Sequence, residues 1–202
     1  MKPQAVILAA GYSSRAGTFK MQLDFGGKPI LLRSVELFQK FCSTVFVVAG
    51  FQEERIQSLV EGYDFVTVVQ NPDFAQGMFS SVRAGVARVT ADRFFFTPGD
   101  CPLISHEVCA KLLESKKEAA IPTYGGKRGH PVLLNGACVK EILAEPADSN
   151  LKKYLSGKDC VFVEVGQEGI LMDVDTMEDY RSARQYAEKL EKEGADPCGL
   201  KL

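Results

Sequence analysis

The chain has 202 residues, of which 46% are hydrophobic and 25% are charged. This balance is typical of a folded globular protein and excludes the disordered, fibrous and membrane classes, and no apolar run approaches the roughly 20 residues that cross a bilayer. Lys and Arg total 24 against 26 for Asp and Glu, and a net charge of -2 argues against binding nucleic acid through overall charge. We expect neither a nucleic-acid nor a membrane partner.

The six cysteines are widely spaced, with no CxxC pair and no histidine cluster that would complete a zinc site. No basic segment leads into an apolar stretch of signal-peptide length. We therefore expect free thiols and a cytoplasmic protein.

Short apolar runs alternate with segments of helical spacing through the first half of the chain. Each run is closed by Gly, Asn or Pro, as in strands that are buried on both faces. The predicted strands are 5–10, 45–49, 65–69 and 93–97, and the predicted helices are 30–41, 51–60 and 78–89. This alternation predicts a doubly wound, mostly parallel sheet with helices on both faces, in which ligands bind beyond the carboxyl ends of the strands.

The second half has a looser pattern that predicts mixed strand directions. We expect a helix at 105–116, a strand at 119–122 and a glycine-rich hairpin turn at 124–129. Three more strands are expected at 131–134, 160–165 and 169–174, followed by a long final helix at 177–192. The expected fold class is a Rossmann-like α/β domain with a small mixed-sheet region. We expect one domain, 1–202, with a nucleotide-binding half (1–103), an acceptor-side half (104–175) and a C-terminal helix and tail (176–202).

The loop after the first strand has the features of a phosphate site. Small residues let backbone N–H groups approach a ligand closely, and serine hydroxyls add donors. Neither GxGxxG nor GxxxxGK[ST] fits, because Gly11 and Gly17 stand six positions apart. The first 35 residues hold five basic side chains and one acidic side chain, so a local anion site is expected; the alternative is a glycine turn that only ends a buried strand. The candidate residues are Leu8, Ala9, Ala10, Gly11, Ser13, Ser14, Arg15 and Lys20.

The string from Leu8 to Lys20 resembles the signature Leu-Ala-Ala-Gly-x-Ser-x-Arg-x-Gly-x-x-Lys of nucleotidyltransferases that activate phosphorylated metabolites. It is most similar to the MobA-like branch, the molybdenum cofactor cytidylyl- and guanylyltransferases. The resemblance implies that the backbone of residues 8–11 lies along the nucleotide, while Arg15 and Lys20 hold the triphosphate. Ala10 stands where the guanylyl branch commonly has Gly, which favours cytosine.

Acidic residues follow two of the predicted strands. Asp100 lies in a Gly-Asp-x-Pro-Leu turn that resembles the family's metal-binding turn, which assigns it to Mg²⁺; the alternative is a turn residue that caps the next helix. Asp173 and Asp175 are two apart on a predicted strand and would face one side. Asp175 is the preferred second metal ligand and Asp173 a further candidate, although Asp175 or Thr176 could instead be the N-cap of the last helix. The family usually has Pro where this chain has Met177.

Two more segments resemble the cytidylyltransferase branch. The segment that begins at Asn71 places Gly77, Ser80 and Ser81 near the base and ribose, the alternative being a local turn and helix cap. An Arg-Gly-His-Pro turn implies contacts of Arg128 and His130 with the acceptor, although a His before Pro is otherwise an exposed turn residue.

The expected chemistry needs no strong general base, because a phosphate monoester that attacks the α-phosphorus is already an anion near neutral pH. Arg15, Lys20 and Asp100 with its Mg²⁺ form the expected catalytic set, since two anions must be brought together. The expected function is Mg²⁺-dependent transfer of CMP from CTP to molybdopterin, with a molybdenum hydroxylase as client. Open alternatives are guanylyl transfer to the same cofactor, nucleotidyl transfer to a sugar or alditol phosphate, a non-catalytic protein that binds nucleotide or cofactor, and a purely structural domain.

Overall fold

The computed structural model describes residues 2–12 and 17–193 of the chain. Ser13, Ser14 and Arg15 of the predicted phosphate loop lie outside the described residues, as does Cys198. The other five cysteines are free thiols, as expected. No helix in the described ranges combines the length and the apolar character that crossing a membrane requires.

The first half alternates strands and helices as predicted. The strands β1 (Gln4–Leu8), β2 (Thr44–Ala49), β3 (Val66–Gln70) and β4 (Arg93–Pro98) are separated by α1 (Ile30–Gln39), α2 (Glu53–Val60) and α3 (Met78–Val86). All four strands are parallel, with β1 between β2 and β4, and β3 on the outer side of β2. β1 is buried on both faces, whereas β3 is only partly buried because it is the edge strand, so the expectation of burial on both faces is wrong for β3.

The second half adds strands of both directions, as predicted. It contains α4 (His106–Leu113), β5 (Ala119–Tyr124), β6 (Lys127–Arg128), β7 (Val132–Asn135), α5 (Cys138–Ala144), α6 (Leu151–Ser156), β8 (Cys160–Glu164) and α7 (Met177–Lys192). β7 runs antiparallel to both β4 and β5, while β5 also pairs with β6 antiparallel and with β8 parallel. One sheet therefore continues from the parallel half into a mixed region, and its order is β3-β2-β1-β4-β7-β5.

One predicted strand is wrong, and two short helices, α5 and α6, were not predicted. Residues 169–174 form no strand: a 3₁₀ helix spans Glu168–Leu171, and irregular chain leads from there to α7. The alternating Ile170, Met172 and Val174 imitate the strand period, but their backbone groups bond to different elements: Ile170 O accepts from His130 N–H at 3.0 Å, and Val174 N–H donates to Asp100 O at 3.0 Å. Val174 is buried in a cluster with Phe25, so its burial comes from loop packing.

Gly85 lies where α3 packs on the sheet, and it provides a test of that packing. A Cβ at this position would stand 2.5 Å from Val6 Cγ1 and 2.7 Å from Val48 Cγ2. Both valines are 0% exposed and have little room to move in a close-packed core. We therefore expect Gly85→Ala to lower the free energy of unfolding by about 1–3 kcal/mol, although alanine is the better helix former.

Urea unfolding measures this difference, with Gly166→Ala as the control because nothing lies within 4 Å of a Cβ at that position. The control should stay within about 0.5 kcal/mol of the parent protein. Equal unfolding midpoints for the two variants would contradict the packing argument.

Candidate active site

A cleft of about 410 Å³ opens at the carboxyl ends of β1 and β4. This is where a doubly wound sheet binds its ligands, and the volume is within the usual range for a small-molecule site. Of the predicted nucleotide-binding residues, Leu8, Ala10, Gly11, Lys20, Gly77 and Ser81 line the cleft. All three predicted metal ligands, Asp100, Asp173 and Asp175, line it as well.

Among the predicted nucleotide-binding residues that the structure describes, two do not line the cleft. Ala9 is buried, and its N–H donates to Val48 O at 2.8 Å, so this amide is already engaged in the sheet. Ser80 is half-buried, and its hydroxyl donates to Asp73 O at 2.9 Å or to Gly77 O at 2.8 Å. In the structure, these two residues therefore support the segments around the cleft.

Lys20 joins two of the predicted metal ligands. It begins a 3₁₀ helix, Lys20–Gln22, and its Nζ donates to Asp100 Oδ2 and, at 2.9 Å, to Asp175 Oδ1. Burial works to lower the pKa of Lys20, but its ion pairs with the two carboxylates outweigh burial and raise the pKa above the usual 10.5. Lys20 is therefore charged at physiological pH and occupies the point on which both carboxylates converge.

The turn that carries Asp100 is held by neighbouring elements. Gly99 N–H donates to Leu8 O at 2.8 Å, and this bond attaches the turn to the end of β1. Ser34, buried on α1, donates from its hydroxyl to Gly99 O at 3.2 Å. Ser34 was missed by the sequence analysis, because a serine inside a helix gives no local signal of the distant carbonyl that its hydroxyl contacts.

The segment before α7 brings Asp173 and Asp175 to the cleft as a loop. The premise that they share one side of a strand is therefore wrong, although both line the cleft. Thr176 is the N-cap of α7 and forms a capping box with Asp179, so capping does not require Asp175. Asp175 instead accepts from Lys20. Burial raises the pKa of Asp173, and the negative charge of Asp100 raises it further.

The acidic residues fit a magnesium ion that arrives with phosphate. Within residues 2–12 and 17–193, no group of three or more His, Cys, Asp or Glu side chains could hold a metal by itself. Mg²⁺, however, is usually bound through one or two carboxylates together with phosphate oxygens. Asp100 and Asp175 suit that role, because their oxygens already converge on one positive charge, the Lys20 ammonium.

Arg128 and His130 lie outside the cleft lining. Arg128 is exposed on β6, with its guanidinium 4.6 Å from the centre of the Phe162 ring. His130 is half-buried rather than an exposed turn residue, and burial lowers its pKa to about 4 against the opposing charge of Asp173. The imidazole is therefore neutral at pH 7. Its Nδ1 is buried with no hydrogen-bond partner in the described part of the chain.

Comparison with known proteins identifies the family of this chain. The model of the MobA-like NTP transferase domain matches residues 5–161. The chain is 32% identical to the molybdenum cofactor cytidylyltransferase of Escherichia coli over 89% of this chain and 94% of that protein. It is 26% identical to a probable molybdenum cofactor guanylyltransferase of Bacillus anthracis over 91% of this chain and 96% of that protein.

A solved structure of a nucleotidyl transferase from Methanothermobacter superimposes with a TM-score of 0.81 at 20% identity, covering 93% of this chain and 98% of that one. At this identity the likeness shows the fold, which is the nucleotidyltransferase-like α/β fold. The family model and the cytidylyltransferase of Escherichia coli show the family as well as the fold, because each match covers most of this chain. The chain therefore belongs to the MobA-like NTP transferase family and is a nucleotidyltransferase.

Proposed function

We propose that this enzyme transfers CMP from CTP to molybdopterin in a Mg²⁺-dependent reaction that releases pyrophosphate. The observation that carries the proposal is the contact of Lys20 with Asp100 and Asp175 inside a cleft of nucleotide size. One cation and two carboxylates at the mouth of a parallel sheet are the groups that a metal-bound triphosphate requires. The cytidylyltransferase relative supports the choice of CTP and of the acceptor.

The residues act by bringing two anions together. Arg15 and Lys20 hold the triphosphate, and Asp100 and Asp175 would hold Mg²⁺, with Asp173 as a further candidate ligand. The metal supplies positive charge to phosphate oxygens on which negative charge develops. A phosphate oxygen of the acceptor forms a bond to the α-phosphorus as the bond from that phosphorus to the bridging oxygen breaks, and pyrophosphate departs with the electron pair. No side chain has to remove a proton, because the attacking phosphate is already ionised.

We propose that the acceptor binds beside the cleft, next to β6 and the turn that follows it. His130 N–H donates to Ile170 O at 3.0 Å, which ties this turn to the segment that leads to Asp173. Arg128 would meet the acceptor's negative charge, and the neutral His130 would exchange hydrogen bonds with the pterin. A molybdenum hydroxylase is the proposed client of the product, and the five free thiols support a cytoplasmic location.

Guanylyl transfer to the same cofactor is the second candidate. The relative from Bacillus anthracis favours it, because its similarity spans 91% of this chain. The side chain of Ala10 favours the pyrimidine: it lines the cleft, where an added methyl group leaves less room for a purine. Size discrimination of this kind amounts to about 10–200-fold.

A panel of nucleoside triphosphates tests the choice of base and acceptor. Pyrophosphate release is measured with CTP, GTP, UTP and ATP, each with molybdopterin, and then with sugar and alditol phosphates. We expect kcat/KM for CTP with molybdopterin to exceed that for GTP by about tenfold or more. A preference for GTP would establish the guanylyl alternative. Nucleotide binding without any pyrophosphate release would indicate a non-catalytic binding protein.

A further inference from the structure

Asn71 is a buried polar residue that directly follows β3. Its side chain forms three hydrogen bonds, and the residue is 3% exposed. Asn71 Oδ1 accepts from the backbone N–H of Asp73 at 3.0 Å. Because a backbone N–H can only donate, this bond identifies which end of the side-chain amide is the oxygen. The Nδ2 end must therefore face α3.

The orientation of this amide sets the polarity of two serines in the first turn of α3. Asn71 Nδ2 donates to Ser80 Oγ and to Ser81 Oγ, each at 2.9 Å. Each hydroxyl oxygen thus serves as an acceptor for Asn71 and keeps its own hydrogen for another partner. Ser80 gives its hydrogen to the carbonyl of Asp73 or of Gly77.

Ser81 has no corresponding acceptor in the part of the chain that the structure describes. The residue is 4% exposed and lines the cleft, and among the described residues no oxygen accepts its hydroxyl hydrogen. A buried donor without an acceptor is unfavourable, so a bound ligand is its natural partner. The surrounding cleft wall is apolar: Phe74, Ala75 and Met78 line it on the same segment, and Tyr12 packs on Phe74 with ring centroids 5.3 Å apart.

We infer that Asn71 is a positioning residue that makes Ser81 a hydrogen-bond donor to the base of the bound nucleotide. An apolar wall with a buried hydroxyl donor beside it suits a flat ring that carries an acceptor atom on its edge, such as the ring carbonyl of a pyrimidine. The charged groups Lys20, Asp100 and Asp175 lie on other loops and serve the phosphate end. The inference rests on the proposed function only in requiring that a nucleoside triphosphate occupies this cleft.

Asn71→Asp reverses the polarity of the arrangement with little change of shape. The carboxylate still accepts from Asp73 N–H, but it cannot donate and takes the hydroxyl hydrogens of Ser80 and Ser81 instead. Ser81 then presents no donor to the ligand. We expect the Kd of CTP, measured calorimetrically with Mg²⁺, to rise about fivefold to tenfold relative to the Kd of tripolyphosphate, which has neither base nor ribose. The ratio of the two Kd values is compared, because the new negative charge repels both probes.

Ser81→Ala provides an uncharged second variant that removes the hydroxyl itself. It should raise the Kd of CTP by the same factor and change that of tripolyphosphate less than about twofold. In the double variant, the ratio of the Kd of CTP to the Kd of tripolyphosphate should be no larger than in Ser81→Ala, because both changes remove the same hydrogen bond to the base. The control is Ser58→Ala, an exposed helical serine on α2 whose hydroxyl donates to Glu54 O at 3.0 Å, and it should alter neither Kd.

An unchanged Kd of CTP in the Ser81→Ala variant would overturn the inference, whether or not the Asn71→Asp variant folds. Losses that simply add in the double variant, or an equal loss for tripolyphosphate in Ser81→Ala, would also overturn it, because they indicate a structural effect. If the parent protein prefers another triphosphate, the choice of CTP fails and the same variants are compared with the preferred nucleotide. If the parent protein binds none, the proposed function and the inference fail together.

Discussion

Asp100→Asn should lower the rate of pyrophosphate release by about 100- to 1,000-fold, the loss seen when one main electrostatic contact of a transition state is removed. The amide keeps the shape of the carboxylate and an oxygen that can accept from Lys20, but it loses the negative charge that would hold Mg²⁺. The backbone of the turn remains anchored through Ser34 and Leu8, so we expect the fold to persist. The measurement is kcat/KM at saturating acceptor over a titration of Mg²⁺, with circular dichroism to verify folding.

Asp159→Asn is a matched control for this result. Asp159 is also paired with a lysine, Lys117, at 2.8 Å, but both side chains are more than half exposed and lie on the surface. An exposed ion pair contributes little, so activity should remain within about twofold of the parent value. If Asp100→Asn turns over as fast as this control, Asp100 is not a catalytic residue.

Lys20→Met should change the affinities for triphosphate and for metal in opposite directions. In the nucleotide-free protein the ammonium of Lys20 is paired with both Asp100 and Asp175 and offsets one of their two charges, so a divalent cation must displace it to reach them. Without the ammonium, the two neighbouring carboxylates lose its positive charge and gain more by binding a cation. We expect the Kd of Mn²⁺ alone to fall about tenfold, and the Kd of CTP to rise about tenfold or more because one phosphate contact is lost.

Calorimetric titrations of Mn²⁺ without nucleotide, and of CTP with Mg²⁺, measure the two effects. Lys117→Met is the control, since it removes an exposed ammonium from an equivalent pair and should leave both affinities unchanged. Unchanged binding of CTP would contradict the assignment of Lys20 to the phosphates. Mn²⁺ binding that weakens would show that Lys20 does not compete with the metal for these carboxylates.

The charged groups of the site would exchange partners when nucleotide binds. In the free protein, Lys20 holds the two carboxylates in position, and their net charge with it is reduced from two negative charges to one. If a metal-bound triphosphate binds, Asp100 and Asp175 would hold the metal while the Lys20 ammonium would turn to the phosphates. The same three residues would then have partners in both states, which would avoid leaving a buried charge uncompensated.

Much of the fold and part of the site follow from local pattern. The strands β1 to β4 and helices α1 to α3 were predicted because runs of apolar residues and helical spacing are properties of short segments. Lys20, Asp100 and Asp175 were identified because a motif resemblance and strand ends mark them. The predicted strand at 169–174 failed, because loop packing buried the same alternating residues that a sheet would have buried.

The sequence by itself determined the alternation of strands and helices, the local excess of positive charge near the first loop, and the identity of the acidic residues proposed to hold the metal. Only the tertiary structure decided that Lys20 bonds to Asp100 and Asp175, which are 80 and 155 positions away. It likewise decided that Ser34 bonds to the Asp100 turn and that Asn71 donates to Ser81. Hydrophobic period is a property of neighbouring residues, whereas the partner of a buried polar group depends on which distant segments the topology brings together.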